Sequence, residues 1–186
     1  MTKKVFLMLV LLAFPLALSA SATEKGYSVY SGEYSSGWQV LQWENTVVSQ
    51  VPGPRNAYRN NMRKSLRVVT SGQFGRMYLV TATSFKATDQ QLLRLSVKIF
   101  SSETAENQLY LALYTPDGSP IHNVLVSDYI KDKKLSVGTW YNVTIPIAHL
   151  QAVDQLIGAV VVEAAQPAAF DVDAISFSPS QSNSKK

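Results

Sequence analysis

The 186-residue sequence contains no cysteine. This absence excludes disulfide frameworks, thiolate metal sites and a lipid anchor on an N-terminal cysteine. A domain without disulfide bonds depends on its hydrophobic core alone for stability. The sequence therefore favours a sizeable β-sandwich over a small disulfide-rich module. The two histidines, His122 and His149, are too far apart for a helical metal pair such as H-x-x-x-H. The sequence also lacks a Gly-x-Ser-x-Gly elbow and a glycine-rich phosphate loop. It therefore predicts no catalytic residues.

Acidic residues are absent between Glu44 and Asp89. That segment nevertheless carries several cations, namely Arg55, Arg59, Arg63, Lys64, Arg67, Arg76 and Lys86. The whole chain has a formal net charge of +4, and most of its acids lie in the C-terminal half. This asymmetry predicts one basic surface region. A long polar loop from Arg55 to Lys64 would form its centre, and structureless loops of that length are often functional.

The N-terminal residues have the composition of an export signal. A short positive region precedes an apolar run from Val5 to Leu18, and Ala20-Ser21-Ala22 fits the small-residue rule for cleavage. The run is shorter than the roughly 20 residues of a membrane-spanning helix, although an uncleaved anchor is the alternative. We predict a secreted or periplasmic protein without a transmembrane span. The expected divisions are a signal peptide at 1–22, a β-sandwich domain at 23–178 and a disordered polar tail at 179–186.

Short runs of β-branched and aromatic residues follow one another from Tyr27 onward, with turn signals between them. Leu92–Phe100 and Leu109–Tyr114 alternate most regularly, and His122–Ile130 also predicts a strand. Val51-Pro-Gly-Pro54 is expected to break the chain, because proline has no N–H for a ladder. We expect an all-β sandwich or jelly roll of about ten short antiparallel strands, with no long helix in the mature chain.

Three stretches resemble the jelly rolls of exported carbohydrate-binding modules in the galactose-binding-domain-like superfamily. They are the tryptophan-bearing N-terminal strands up to Trp43, the motif Gly-Thr-Trp-x-x-Val-x-Ile-Pro-Ile at 138–147, and the last strand Phe170-Asp-Val-Asp-Ala-Ile175. Leu41 stands where many such modules carry another tryptophan. The resemblance covers most of residues 27–178 and implies a jelly-roll fold and a glycan ligand.

A glycan site needs flat aromatic faces and a few polar groups. Tyr110 and Tyr114 share a strand face, and Arg94 and Lys98 share a face on the preceding strand. The four side chains would form one platform if both faces lay on the same side of one sheet. In the alternative, the tyrosines pack beneath a loop or the second sheet.

Two further groups are candidates for ligand contact. Trp38 and Trp43 are five residues apart, so a regular strand places them on opposite faces and exposes at least one. Tyr58 and Arg59 lie in the basic loop, where guanidinium groups suit the carboxylates or phosphates of an anionic partner. A solvated loop is the alternative, and nucleic acid is disfavoured by the predicted export. We interpret Trp140 as structural.

The resemblance also implies a structural calcium ion near the last strand. In that superfamily the acid before the isoleucine, here Asp173, often helps hold the ion with oxygens from the first strands. Glu33 and nearby backbone carbonyls are the expected partners, because calcium takes about six to eight oxygen ligands. Asp173 satisfied by hydrogen bonds alone is the alternative.

The predicted function is that of an exported, non-catalytic glycan-binding module, for which the basic segment suits an acidic polysaccharide. One alternative is a polysaccharide lyase or hydrolase on the same scaffold. The other is a protein-interaction module of the cell envelope that binds no sugar. The sequence does not determine the oligomeric state.

Overall fold

The structure, a computed structural model, describes residues 26–43, 45–55, 62–89, 91–101 and 109–179. The predicted signal peptide, the tail beyond Pro179, and the candidates Tyr58 and Arg59 lie outside these residues. Within the described ranges, no helix is both long and apolar enough to cross a membrane.

Eleven strands and two short 3₁₀ turns account for most of the described chain. The strands are β1 (Tyr27–Tyr30), β2 (Trp38–Gln42), β3 (Thr46–Arg55), β4 (Met62–Thr70), β5 (Gly75–Lys86), β6 (Gln91–Ile99), β7 (Leu109–Tyr114), β8 (Pro120–Leu125), β9 (Trp140–Pro146), β10 (Leu156–Ala164) and β11 (Ala168–Pro179). The 3₁₀ turns are η1 (Val126–Tyr129) and η2 (Ile147–Leu150).

The strands form two antiparallel sheets that pack face to face. Sheet A has six strands in the order β3-β4-β11-β6-β9, with β1 also paired to β11. Sheet B has five strands in the order β2-β5-β10-β7-β8. Alternate residues point inward from each sheet, as a period of two requires. Leu93 and Leu95 of β6 and Leu111 and Leu113 of β7 meet in the common core. The predicted all-β sandwich is confirmed.

A bulge in β11 interrupts that alternation. The pairing with β6 shifts register between Asp173 and Ser176, and Ala174 adopts a left-handed φ of 52°. Val172 and Ile175 therefore both lie in the core although an odd number of positions separates them. The bulge keeps both halves of this long strand packed against sheet B.

Two stretches differ from the sequence prediction. Pro52 does not end a strand but lies inside β3, opposite Lys64. It is tolerated there because β3 is the edge of sheet A and its unpaired side needs no donor. Lys64 belongs to β4, so the predicted loop is shorter than expected. The strand predicted at His122–Ile130 ends at Leu125 and continues as η1.

Candidate functional site

The outer face of sheet B carries an unusual number of aromatic side chains. Residues opposite each other in neighbouring strands share a face, so the register defines three rows across the five strands. The first row is Leu41, Tyr78, Val161, Ala112 and Asn123. The second is Gln39, Val80, Ala159, Tyr114 and Pro120. The third is Arg76, Glu163, Tyr110 and Leu125, and Trp43 extends it through an N–H bond to the Arg76 carbonyl (3.3 Å). We call this surface the sheet B face.

Small residues form the floor of the sheet B face. Ala112, Ala159 and Val161 are buried although they point away from the core, and with Tyr114 they make a second hydrophobic cluster. The rings of Tyr78 and Tyr114 meet edge to face above this floor, with centroids 5.5 Å apart. Because large rings flank small residues, the face is indented and not flat.

Trp43 extends the aromatic surface toward the edge of the sheet. Its ring centroid lies 6.0 Å from that of Tyr78, and 52% of the residue is exposed. Beside Tyr114 there is a cleft of about 300 Å³, and its lining includes Arg76, Tyr110, Ala112, His122, Asn123 and Glu163. The face therefore combines an exposed ring, a shallow apolar floor and a cleft.

The charged groups of the face lie in its third row. Arg76 and Glu163 form an ion pair, and Arg76 Nη1 also donates to the Tyr78 hydroxyl at 3.5 Å. Burial, followed by the nearby Tyr78 hydroxyl, raises the pKa of Tyr114. The Tyr114 phenol is therefore neutral at physiological pH and retains its proton as a hydrogen-bond donor.

Three of the predicted contact residues come together on this face: Tyr110, Tyr114 and Trp43. Trp38 lies on the opposite side of β2, half-buried against the core. The expectation that at least one of the two tryptophans is exposed is confirmed. Tyr110 and Tyr114 on the one hand and Trp43 on the other, which are separate candidates by sequence, thus lie on one surface.

The predicted platform of Arg94 and Lys98 beside the tyrosines is wrong. Both cations lie on β6 in sheet A, whereas the tyrosines lie on β7 in sheet B. The chain crosses between the sheets after β6, so strands adjacent in sequence are not adjacent in a sheet. Arg94 is exposed opposite Thr144, away from the sheet B face.

Lys98 belongs instead to an aromatic cluster on the outside of sheet A. Its Nζ atom lies 4.7 Å from the ring centroid of Phe100 and 5.2 Å from that of Trp140. Trp140 is thus a half-buried outer residue, while Val143 and Ile145 of the same strand enter the core. Trp140 therefore packs over Lys98 on the outer surface and is not part of the hydrophobic core.

The sequence matches no protein-family profile and no curated protein. Solved structures do match. A family 29 carbohydrate-binding module has a TM-score of 0.54 at 10% identity, over 84% of this chain and 93% of that chain. A family 11 module from Clostridium thermocellum, in complex with a β-1,3-1,4-mixed-linked tetrasaccharide, has a TM-score of 0.55 at 12% identity, over 83% and 96%.

A third structure is an extra C-terminal domain of an exo-1,3/1,4-β-glucanase from a Pseudoalteromonas species. Its TM-score is 0.57 at 11% identity, over 84% of this chain and 94% of that domain. The chain has the jelly-roll fold of carbohydrate-binding modules. The resemblance carried by the three sequence stretches is thereby confirmed for the fold. At such low identities these structures define the scaffold and do not identify the ligand.

Strand pairing neutralises part of the predicted basic region, namely Arg67, Arg76 and Lys86. Arg67 holds Asp171 through two hydrogen bonds, Nε–Oδ1 at 2.8 Å and Nη2–Oδ2 at 3.1 Å, and this bonding raises the pKa of the guanidinium. The Nζ atom of Lys86 lies 2.9 Å from Oδ1 of Asp154. These acids come from β11 and the segment before β10, which lie beside β4 and β5. Cations of the acid-free segment are therefore paired with acidic residues from neighbouring parts of the fold.

Arg63 and Lys64 form no ion pair with the described residues. Together with Gln50, Val51 and Pro52 they line a cleft of about 380 Å³ at the edge of sheet A. This cleft is what remains of the predicted basic region among the described residues.

Asp173 is a buried carboxylate at the β11 bulge. Only 2% of it is exposed, and its Oδ1 accepts the N–H of Ala174 at 2.7 Å. Burial raises its pKa, partly offset by that hydrogen bond and by the charge of Arg63. The pKa of Tyr30 is raised chiefly by burial, then by the charges of Asp173, Tyr34 and Glu33. Asp173 and the exposed Glu33 thus both act electrostatically on Tyr30, and calcium binding at these carboxylates stays a prediction.

Two carboxylates alone would not complete the about six to eight oxygen ligands that calcium takes. No group of three or more potential acidic, histidine or cysteine ligands occurs in the ranges that the structure describes. Backbone carbonyls would therefore supply most of the coordination shell.

Sequence reasoning missed Tyr78, Arg76 and Glu163 as residues of the sheet B face. A signal for them was present, because Arg76 to Thr81 alternates with Met77 and Leu79 as the buried set. Arg76 and Tyr78, the outward residues of β5, can be assigned to the same face as Tyr110 and Tyr114 only when β5 is known to lie two strands from β7. No local sequence pattern specifies that arrangement.

Proposed function

We propose that this protein is an exported, non-catalytic glycan-binding module that binds a polysaccharide on the sheet B face. The observation that carries the proposal is the aromatic group of Trp43, Tyr78 and Tyr114 around a floor of alanine and valine. A pyranose ring has one face of C–H groups and a rim of hydroxyls. Rings and small apolar residues suit the first, and convergent polar groups suit the second.

The polar groups lie where such a rim would need them. Arg76 and Glu163 line the cleft beside Tyr114 together with His122 and Asn123. The family 11 module with its bound tetrasaccharide shares the fold and supports the choice of glycan as ligand class.

The test is affinity electrophoresis of the purified protein through gels that contain one polysaccharide each. We expect a neutral mixed-linkage β-glucan to retard the protein, and we expect high salt to leave the retardation in place. No retardation by any neutral or acidic glycan would contradict the proposal and leave the envelope protein-interaction module. Release of reducing or unsaturated ends would instead identify a hydrolase or lyase.

A second candidate is an acidic polysaccharide bound at the cleft of Arg63 and Lys64. The supporting observation is that neither cation forms an ion pair with a carboxylate among the described residues, while the charge of Arg63 acts on Asp173 without direct contact. Binding by these solvent-accessible groups would fade as salt screens them, with a Debye length of about 10 Å at 0.1 M. The double variant Arg63→Gln/Lys64→Gln should abolish retardation by polyuronate and leave retardation by neutral glucan unchanged. Equal polyuronate retardation of variant and wild type would contradict this candidate.

A structural calcium ion at Asp173 and Glu33 remains part of the proposal. It would neutralise a carboxylate that burial makes costly to ionise. The ion would then stabilise the bulge of β11 without taking part in glycan binding at the other sheet.

A further inference from the structure

The sheet B face carries only two formally charged side chains among its described outward residues, and they neutralise each other. Arg76 and Glu163 lie opposite each other in register on β5 and β10. Their side chains are 31% and 13% exposed, so the acid is the more deeply covered partner. An approaching ligand therefore meets the guanidinium with its counterion already in place.

The geometry leaves the pair able to bond to uncharged groups. Glu163 occupies the Nε side of the guanidinium, and Nη1 reaches the Tyr78 hydroxyl only at a long 3.5 Å. A guanidinium has five N–H donors, so donors remain for a ligand oxygen. Free lone pairs of Glu163 accept from a hydroxyl. A carboxylated sugar, by contrast, would have to displace Glu163 or lie beside its negative charge.

We propose that Glu163 is a specificity-determining residue, which excludes acidic glycans from the sheet B face by holding the charge of Arg76. This inference rests on the proposed function of the face. It predicts that the same surface becomes a polyuronate site when Glu163 loses its charge, because Arg76 then pairs with the carboxylates of the ligand.

The chain offers a matched control for this change. Lys86 and Asp154 form another cation–acid pair at the opposite end of β5 and next to the start of β10. Asp154→Asn also removes one negative charge and frees one cation, but it does so away from the third row of the face. The double variant Arg76→Gln/Glu163→Gln replaces the pair by two amides and leaves the net charge unchanged.

The experiment measures retardation of the four proteins by neutral mixed-linkage β-glucan and by polyuronate. We expect Glu163→Gln to bind polyuronate about tenfold more tightly than wild type at low salt, since charge-assisted hydrogen bonds are about twice as strong as neutral ones. The gain should disappear near 1 M salt, where the Debye length is about 3 Å. Asp154→Asn and the double variant should show no such gain, and Asp154→Asn should bind neutral glucan as tightly as wild type does.

Two results would overturn the inference. One is an equal polyuronate gain in Glu163→Gln and Asp154→Asn, which would reflect net charge alone. The other is an equal gain in the double variant, which lacks the cation. Failure of the proposed function has a different signature, because wild type would then show no retardation by neutral glucan. Melting temperatures of all four proteins verify that each is folded in the assay.

Discussion

Replacing Trp43 by alanine is the sharpest test of the sheet B face. An aromatic side chain of this size buries up to about 250 Å², and 52% of Trp43 is exposed. About 120 Å² is therefore covered in the free protein, in part by the ring of Tyr78. At about 25 cal/mol per Å² this sets an upper limit of about 3 kcal/mol on the stability lost. We expect a folded variant that is about 2 kcal/mol less stable.

The exposed half of the ring sets the expected effect on binding. It offers about 130 Å², and a sugar that covers half to two thirds of it would gain about 2 kcal/mol. Because about 1.4 kcal/mol corresponds to tenfold in affinity, Trp43→Ala should weaken glycan binding about thirtyfold. Titration calorimetry with a soluble mixed-linkage oligosaccharide measures this change directly.

Trp140→Ala is the matched control. It removes another half-buried tryptophan, one that covers Lys98 on the outside of sheet A, so a comparable loss of stability is expected. Its affinity for the oligosaccharide should equal that of wild type. Equal loss of affinity in the two variants would show that general destabilisation explains the effect. Unchanged affinity in Trp43→Ala would refute the assignment of the face.

Three changes test the supporting structure. Asp171→Asn removes the buried carboxylate charge that pairs with Arg67. The free energy of unfolding should fall by about 2 kcal/mol, which lowers the denaturant midpoint. An unchanged midpoint would contradict a stabilising role of this pair. Gly158→Ala should lower the melting temperature by the equivalent of about 1–3 kcal/mol, because its Cβ would lie 2.5 Å from the Pro116 Cα; a stabilised variant would contradict this close approach. Asp173 has a folded-state pKa raised by burial, so without calcium its folded form binds more protons than its unfolded form between the two pKa values. Stability should therefore fall as pH rises through that window, and Asp173→Asn should lack this decline; identical pH profiles would refute it. If calcium binds, a chelator should lower the melting temperature of wild type but not of Asp173→Asn.

The strands that sequence predicted best are those that bury one complete face. The strand Leu109–Tyr114 has the predicted bounds. Its three leucines alternate with tyrosine and alanine, and only one register buries all three leucines in the core. The strand predicted after Gly138 ends at Pro146 as expected. Such patterns are local, so a single sequence reveals them.

Sheet membership was not predictable in the same way. Nothing in β6 or β7 indicates that the chain passes from one sheet to the other between them, and this passage separates Lys98 from Tyr110. The strand containing Pro52 was missed for a related reason. Proline is compatible with an edge strand and not with a central one, and the position of β3 at the edge depends on the whole topology.

The same topology decides how electrostatics and binding are related in this protein. Antiparallel pairing sets acids from the C-terminal half of the chain beside three cations of β4 and β5, so among the described residues part of the charge asymmetry along the sequence cancels in space. The sheet B face retains only the neutralised pair of Arg76 and Glu163, and screening by salt should hardly affect a neutral ligand there. Affinity for neutral glucan should therefore change by less than about twofold between about 50 mM and 500 mM salt, as calorimetry can measure. A steep decline with salt would place the binding energy in the cations of the Arg63 and Lys64 cleft and would contradict an apolar site on sheet B.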